Sequence, residues 1–181
     1  GKTGEAKDIL INLEGLDSHF VDTYLLLAEI YRKTGEAVLS EETLVRGIKN
    51  NSESAKLYLA LASLYHQQKK YQNAIDAILQ VIAKQPANKR YKLLLADLYW
   101  LSSQKENTKN ILQQIIEENT KDDENWIIVS RFYITRNDIQ QAESVLQRGI
   151  KINQDTYKLR FLLSQIYTDQ HRIEEATKLL R

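Results

Sequence analysis

The residues able to do chemistry are few and widely spaced. His19, His66 and His171 are the only histidines, and there is no cysteine. Thiolate metal sites and disulfides are therefore excluded, and the three imidazoles read as solvated side chains rather than ligands of one metal. The opening Gly1-Lys2-Thr3 echoes the end of a phosphate-binding loop. That loop requires another glycine five residues earlier and a preceding strand, and the chain has neither. The acidic run Asp122-Asp123-Glu124 has the character of charges placed at a helix N-terminus, where the helix dipole favours them. No spacing supplies a nucleophile with its base. The sequence reads as a non-enzymatic segment without catalytic residues, cofactor or metal.

Composition bounds the partners. Over 181 residues, hydrophobic side chains make up 43% and charged ones 27%, with a single proline. This is an ordered soluble composition. Lys+Arg 25 against Asp+Glu 24 gives a net charge of +1, which argues against a nucleic-acid binder, since those carry a basic excess or stripe. No run of 18 apolar residues occurs, so no membrane insertion by this segment is expected. No basic-then-apolar leader opens the chain, and both cytoplasm and periplasm stay open. The many Ile, Lys, Asn and Gln residues are associated with an AT-rich, bacterial genome.

What must position any site is a period. Tyr31, Tyr65, Tyr99, Tyr133 and Tyr167 are spaced by 34 residues. Three residues before each stands a small side chain (Ala28, Ala62, Ala96, Ser130, Ser164), preceded by an aliphatic one (Leu27, Leu61, Leu95, Val129, Leu163). A second set, Leu10, Leu44, Ile78, Leu112, Leu146 and Leu180, keeps the same spacing. Four residues before these stand Ala6, Ser40, Ala74, Thr108, Ala142 and Ala176, and a third row runs Ile48, Ile82, Ile116 and Ile150. Rows locked in phase signal a repeat architecture. Within one unit, Tyr58, Leu61, Ala62 and Tyr65 follow helical spacing, a break falls near Gln68–Lys70, and Tyr71, Ala74, Ile75, Ile78, Val81 and Ile82 follow it again before Pro86. Each unit is thus a helix–turn–helix whose apolar face is buried only by stacking on the next. Small residues mark helix crossings, where a large side chain would hold the axes apart. The histidines fall in an exit loop, late in a first helix and in an intra-repeat turn, in non-adjacent units.

These residues resemble the tetratricopeptide repeat: a bulky residue, then Leu and a small residue, Tyr, a Gly turn, Ala and a late Pro. Residues 55–88 match most closely through Tyr58, Leu61, Ala62, Tyr65, Tyr71, Ala74, Ile78 and Pro86. Residues 21–54 supply Tyr24, Leu27, Ala28, Tyr31 and Gly35, and residues 123–156 supply Trp126, Tyr133 and Ala142. Residues 89–122 are degenerate, with Lys92 at the bulky position and Thr108 at the second-helix Ala. Residues 157–181 form a partial repeat and residues 1–20 the second helix of a preceding one. The resemblance implies an all-α fold, a right-handed α-solenoid of about five stacked helix–turn–helix repeats forming a single domain over 1–181. Neither end has a polar capping helix, so the chain reads as a fragment of a longer array, with Gly1 a tag remnant and with apolar ends open to end-to-end self-association.

The resemblance also implies where a partner lies: in a concave groove lined by the first helices. Projected through the frame, the partner-binding residues are Leu25, Glu29, Leu59, His66, Leu93, Asp97, Trp100, Leu101, Ile127, Arg131, Ile134 and Phe161. The fifth-place row, Leu25, Leu59, Leu93, Ile127 and Phe161, is apolar throughout. With Trp100, Leu101 and Ile134 it is expected to make an exposed strip widening toward residues 89–156, with Trp100 as an anchor. The alternative for these side chains is packing against neighbouring helices. The Lys and Asn that chaperone-binding members use to clamp a C-terminal carboxylate are missing from the fifth and ninth places. So is the sixth-place Asn ladder of the sugar-nucleotide transferases, where Leu26, Ala60, Leu94, Ile128 and Leu162 stand instead. The expected function is a protein–protein interaction scaffold that binds a peptide or helix. Alternatives are a repeat arm of a bacterial polysaccharide-export or envelope-assembly protein, which would contact glycan, and a regulatory arm of an enzyme.

Overall fold

The computed structural model describes residues 2–180; Gly1, with the readings placed on it, and Arg181 lie outside the described residues. Among the described residues there are eleven α-helices and no strand. The first helices of the repeats are α2 (Val21–Lys33), α4 (Ala55–Gln67), α6 (Lys89–Leu101), α8 (Asp123–Ile134) and α10 (Tyr157–Asp169). The second helices are α1 (Lys2–Leu16), α3 (Ala37–Asn50), α5 (Tyr71–Lys84), α7 (Lys105–Glu117), α9 (Ile139–Ile152) and α11 (Ile173–Leu179). Every first helix opens at the first place of a 34-residue unit, and α5 ends before Pro86, as the spacing predicts. The fold is all-α, of the α-solenoid class built from helical repeats.

By packing, the chain divides into two compact units, 1–108 and 109–181, with the division inside α7. In the first unit α1 to α6 pack in chain order, and α2 also touches α4. In the second unit α8 packs on α9, α9 on α10 and α10 on α11, while α8 also touches α10. The rows that carry the period are the rows that are buried. Leu27, Leu61, Leu95, Val129 and Leu163 are inside, as are all five small residues that follow them. Where serine or threonine replaces alanine at a crossing, its hydroxyl finds a backbone carbonyl. Ser40 donates to Ala28 O at 2.8 Å, Thr108 to Gln104 O at 3.1 Å and Ser164 to Phe161 O at 2.7 Å. A buried hydroxyl without such a partner would cost roughly 1–3 kcal/mol.

Two packing devices recur that the sequence pattern did not flag. At the fourth place, Tyr24 and Trp126 are fully buried, and opposite each lies a glycine within the second helix of the same repeat, Gly47 and Gly149. A Cβ on Gly47 would stand 2.8 Å from Tyr24 Cγ. One on Gly149 would stand 2.9 Å from the Trp126 ring and 2.7 Å from Leu159 Cδ1. The large ring is accommodated because the facing residue has no side chain. Tyr24 OH donates to Ser18 O at 2.9 Å and Trp126 Nε1 to Thr120 O at 2.8 Å, so both rings also fasten the preceding exit loop. Asn51 and Asn153, again equivalent, donate to the same two carbonyls at 3.3 and 3.2 Å.

The second device joins successive repeats. Glu41 on α3 accepts from Tyr65 OH (2.9 Å) and Lys70 (3.3 Å) of the next repeat. Glu143 on α9 accepts from Tyr167 OH (3.0 Å) and Arg172 (2.8 Å). Burial and the neighbouring carboxylate push both phenols above their ordinary pKa. One repeat earlier the charges are exchanged: Lys7 pairs with Glu36 and lies 4.7 Å from the Tyr31 ring centroid. Three tyrosines of the row that defines the period, Tyr31, Tyr65 and Tyr167, thus sit at joints between repeats.

The acidic run at 122–124 does more than face a dipole. Asp122 caps α8, accepting from Glu124 N at 3.0 Å. Asp123 accepts from Thr156 Oγ1 at 2.6 Å and Asn153 Nδ2 at 3.1 Å, tying the start of α8 to the end of its own repeat. The turn between the two helices of each repeat places one residue in the left-handed region: Gly35 (φ 81°), Lys69 (58°), Ser103 (61°), Asn137 (59°) and His171 (61°). Glycine meets that geometry without strain in one repeat only, and the other four side chains bear the cost.

Two stability measurements check this packing. Gly149→Ala should lower stability by about 1 kcal/mol or more, because overpacking against the buried Trp126 ring outweighs the gain in helix propensity. Gly15→Ala, where the added methyl meets open space, should leave stability unchanged or raise it. Equal effects in thermal denaturation would contradict the tight crossing. Lys69→Gly should be neutral or stabilising by up to about 1 kcal/mol, since it removes left-handed strain at an exposed turn; a clear loss of stability would show that the turn does not hold that conformation.

Candidate functional site

The first helices carry the residues the repeat frame singles out, and each unit presents its own grooves. In residues 1–108, Leu59, Ser63 and His66 of α4 face Leu94 and Asp97 of α6 across a groove of 170 Å³ floored by Ala62, Ile78 and Leu98. A neighbouring groove of 210 Å³ lies between α2 and α4 and is lined by Leu25, Ala28, Glu29, Arg32, Ala60 and Ser63. Leu25, Leu59 and Leu93 are half-buried, so the fifth-place row does contribute apolar surface here. Trp100 is half-buried near the end of α6, and Leu101 beside it is exposed.

Charges on this face are mostly neutralised in place. Arg32 donates two hydrogen bonds of 2.7 Å to Glu29, and Lys33 lies 3.3 Å from the same carboxylate. The hydrogen bond from Arg32 is the main reason that the Glu29 pKa is lowered to about 2. The pair therefore stays ionised down to strongly acidic solution. Arg32 also donates to Gln67 at 3.3 Å across the groove between α2 and α4, and Lys56 lies 3.8 Å from Asp22. Such exposed pairs add little stability, but they leave few charges free to meet a ligand.

In residues 109–181 the grooves are larger and their apolar walls more open. Between α8 and α10 a groove of 440 Å³ is lined by Glu124, Ile127 and Arg131 on one side and Tyr157, Lys158, Phe161, Leu162 and Gln165 on the other. A second groove of 510 Å³ shares Phe161, Leu162 and Gln165 and continues past Ile134 to Thr168, Asp169 and Leu180. Phe161 is 54% exposed and Tyr157 75%. Ile127, expected in the exposed strip, is only 7% exposed. It forms the floor of the groove because α10 crosses over it, and the wall is Phe161. Tyr157, one turn before Phe161, is a residue that projection of the frame did not select. Its place is the first of the repeat, occupied elsewhere by Val21, Ala55, Lys89 and Asp123, so no row pointed to it.

The histidines do not meet. His19 Nδ1 lies 3.0 Å from Asn50 O in an exit loop, His66 faces the α4–α6 groove, and His171 holds a turn. Among the described residues no group of three or more His, Cys, Asp or Glu could hold a metal ion, and no helix is long and apolar enough to cross a membrane.

Comparison with known proteins agrees with the helical-repeat fold. Residues 25–89 match the family described as tetratricopeptide repeat. No curated protein sequence matches the chain. Among solved structures, YrrB, described as a TPR protein with an unusual peptide-binding site, is similar at a TM-score of 0.55 and 14% identity, over 94% of this chain and 88% of that one. A tetratricopeptide repeat protein from Parabacteroides merdae gives 0.56 and 18%, over 99% and 70%. BtubC from P. vanneervenii gives 0.59 and 14%, over 99% and 85%. At these identities the likeness is one of fold. Residues 25–89 thus carry the tetratricopeptide repeat, and the helical-repeat fold of the chain is the one shared with such proteins.

Proposed function

We propose that the chain is a protein-interaction scaffold that takes a peptide segment of a partner on the face formed by its first helices. The observation that carries this reading is the exposed pair Tyr157 and Phe161 on α10, beside a groove whose floor is the buried Ile127. Aromatic side chains left in water next to a concave apolar surface are the usual anchors of an interface, because they bring large area at little conformational cost. A groove between two packed helices accepts an extended segment or a short helix. The description of YrrB as a protein with a peptide-binding site supports the same class of ligand for this fold. In residues 1–108 the corresponding binding residues are Leu25, Glu29, Leu59, His66, Leu93, Asp97, Trp100 and Leu101; in residues 109–181 they are Ile127, Arg131, Ile134 and Phe161. The repeat as a module generally serves interaction rather than catalysis.

A random dodecapeptide display library selected on the intact chain tests this directly. Binding peptides should be recovered, and Phe161→Ala should weaken them about tenfold or more while the melting temperature changes little, since Phe161 is mostly in solvent. Failure to recover any binder, or binders indifferent to Phe161→Ala, would contradict the assignment.

A further inference from the structure

The charge left over in the α8–α10 groove carries one step more. The groove is lined by two cations, Arg131 and Lys158, and one anion, Glu124. Lys158 lies 3.6 Å from Glu124. Arg131 is exposed and, among the described residues, its guanidinium has no partner, unlike Arg32, Arg136, Arg148, Arg160 and Arg172, each of which donates to a neighbouring side chain or carbonyl. Two cations less one anion leave a net charge of +1, and it sits beside the apolar surface of Ile127 and Phe161.

We infer that the α8–α10 groove selects a peptide in which an internal Asp or Glu side chain lies next to an apolar residue, the carboxylate meeting Arg131 and the apolar side chain packing on Phe161 and Ile127. The inference rests on the reading of this face as a peptide site. A guanidinium pairs with a carboxylate through two parallel hydrogen bonds, which fixes position as well as charge. The carboxylate is that of a side chain and not of a chain end, because the groove does not stop at Arg131. It continues past Phe161, Leu162 and Gln165 into the second groove, so a bound chain runs through. Asp169 lines the far end of that second groove. An acidic residue is therefore favoured at the Arg131 end and disfavoured at the other, which gives the bound peptide a direction. In the two grooves of the first unit the one Lys or Arg among the lining residues is Arg32, and Glu29 already holds it.

The test is the same dodecapeptide library selected in parallel on the intact wild-type chain and on its Arg131→Gln and Arg131→Glu variants, all checked for folding by circular dichroism. Wild type should enrich peptides with Asp or Glu adjacent to Leu, Ile or Phe. Their affinity should fall about three- to tenfold on Arg131→Gln, the size expected of an exposed charge contact. Arg131→Glu should shift the selection toward Lys and Arg. Synthetic versions with amidated C-termini should bind as well as those with free carboxylates. Phe161-dependent binders without acidic enrichment, or indifferent to Arg131, would overturn this inference and leave the peptide site standing. A requirement for the free C-terminus would overturn it in favour of end capture. Recovery of no Phe161-dependent binder would remove the peptide site itself.

Discussion

A helical hairpin with one apolar face cannot bury that face alone, and everything in this structure follows from how closely its neighbours can approach. The approach is set by small residues at fixed places. Ala28, Ala62, Ala96, Ser130 and Ser164 let the first helices cross their partners. Ser40, Ala74, Thr108, Ala142 and Ala176 do the same from the second helices. Gly47 and Gly149 go further and remove the side chain entirely where Tyr24 and Trp126 are inserted. Burying a Trp or Tyr ring gains a large area, but only if the opposing helix leaves room for it. The joints then add direction: a tyrosine hydroxyl and a cation of one repeat converge on a glutamate of the repeat before it.

This explains why the proposed docking surface falls on the first helices. The second-helix faces contribute their apolar rows to the core, while α8 and α10 touch along one edge and leave a furrow above the contact. At the floor of the furrow Ile127 is buried; at its wall Phe161 and Tyr157 are not. The distribution of charge completes the surface. Where acids and bases are spaced to meet on one helix, as Glu29, Arg32 and Lys33 are, they cancel. Arg131 pairs with no acid among the described residues, so its charge is available to the proposed ligand.

The period made most of the fold legible in the sequence. Tyrosines every 34 residues, with small and aliphatic residues in phase, determine helix number, register and the hairpin turns, because each of those rows has one steric task in every repeat. Less legible were features that belong to pairs of places. Gly47 and Gly149 look like weak points in helices until they are read together with Tyr24 and Trp126. The exchange of charge between Lys7–Glu36 and Glu41–Lys70 is visible in sequence only once one knows that those places touch. The candidate site was legible in outline alone. Five apolar residues share the fifth place, yet Ile127 is covered and Phe161 is open, since exposure depends on the neighbouring helix and not on the row. Tyr157 belongs to no conserved row and could be found only from the structure.

The proposed partner peptide lies along α8 and α10 over Ile127. The most direct measurement is an amide and methyl chemical-shift map of the intact chain titrated with a display-selected peptide. The largest shifts should fall on Ile127, Arg131, Phe161, Leu162 and Gln165. Shifts concentrated instead on the second helices, at α9 and α11, would contradict it.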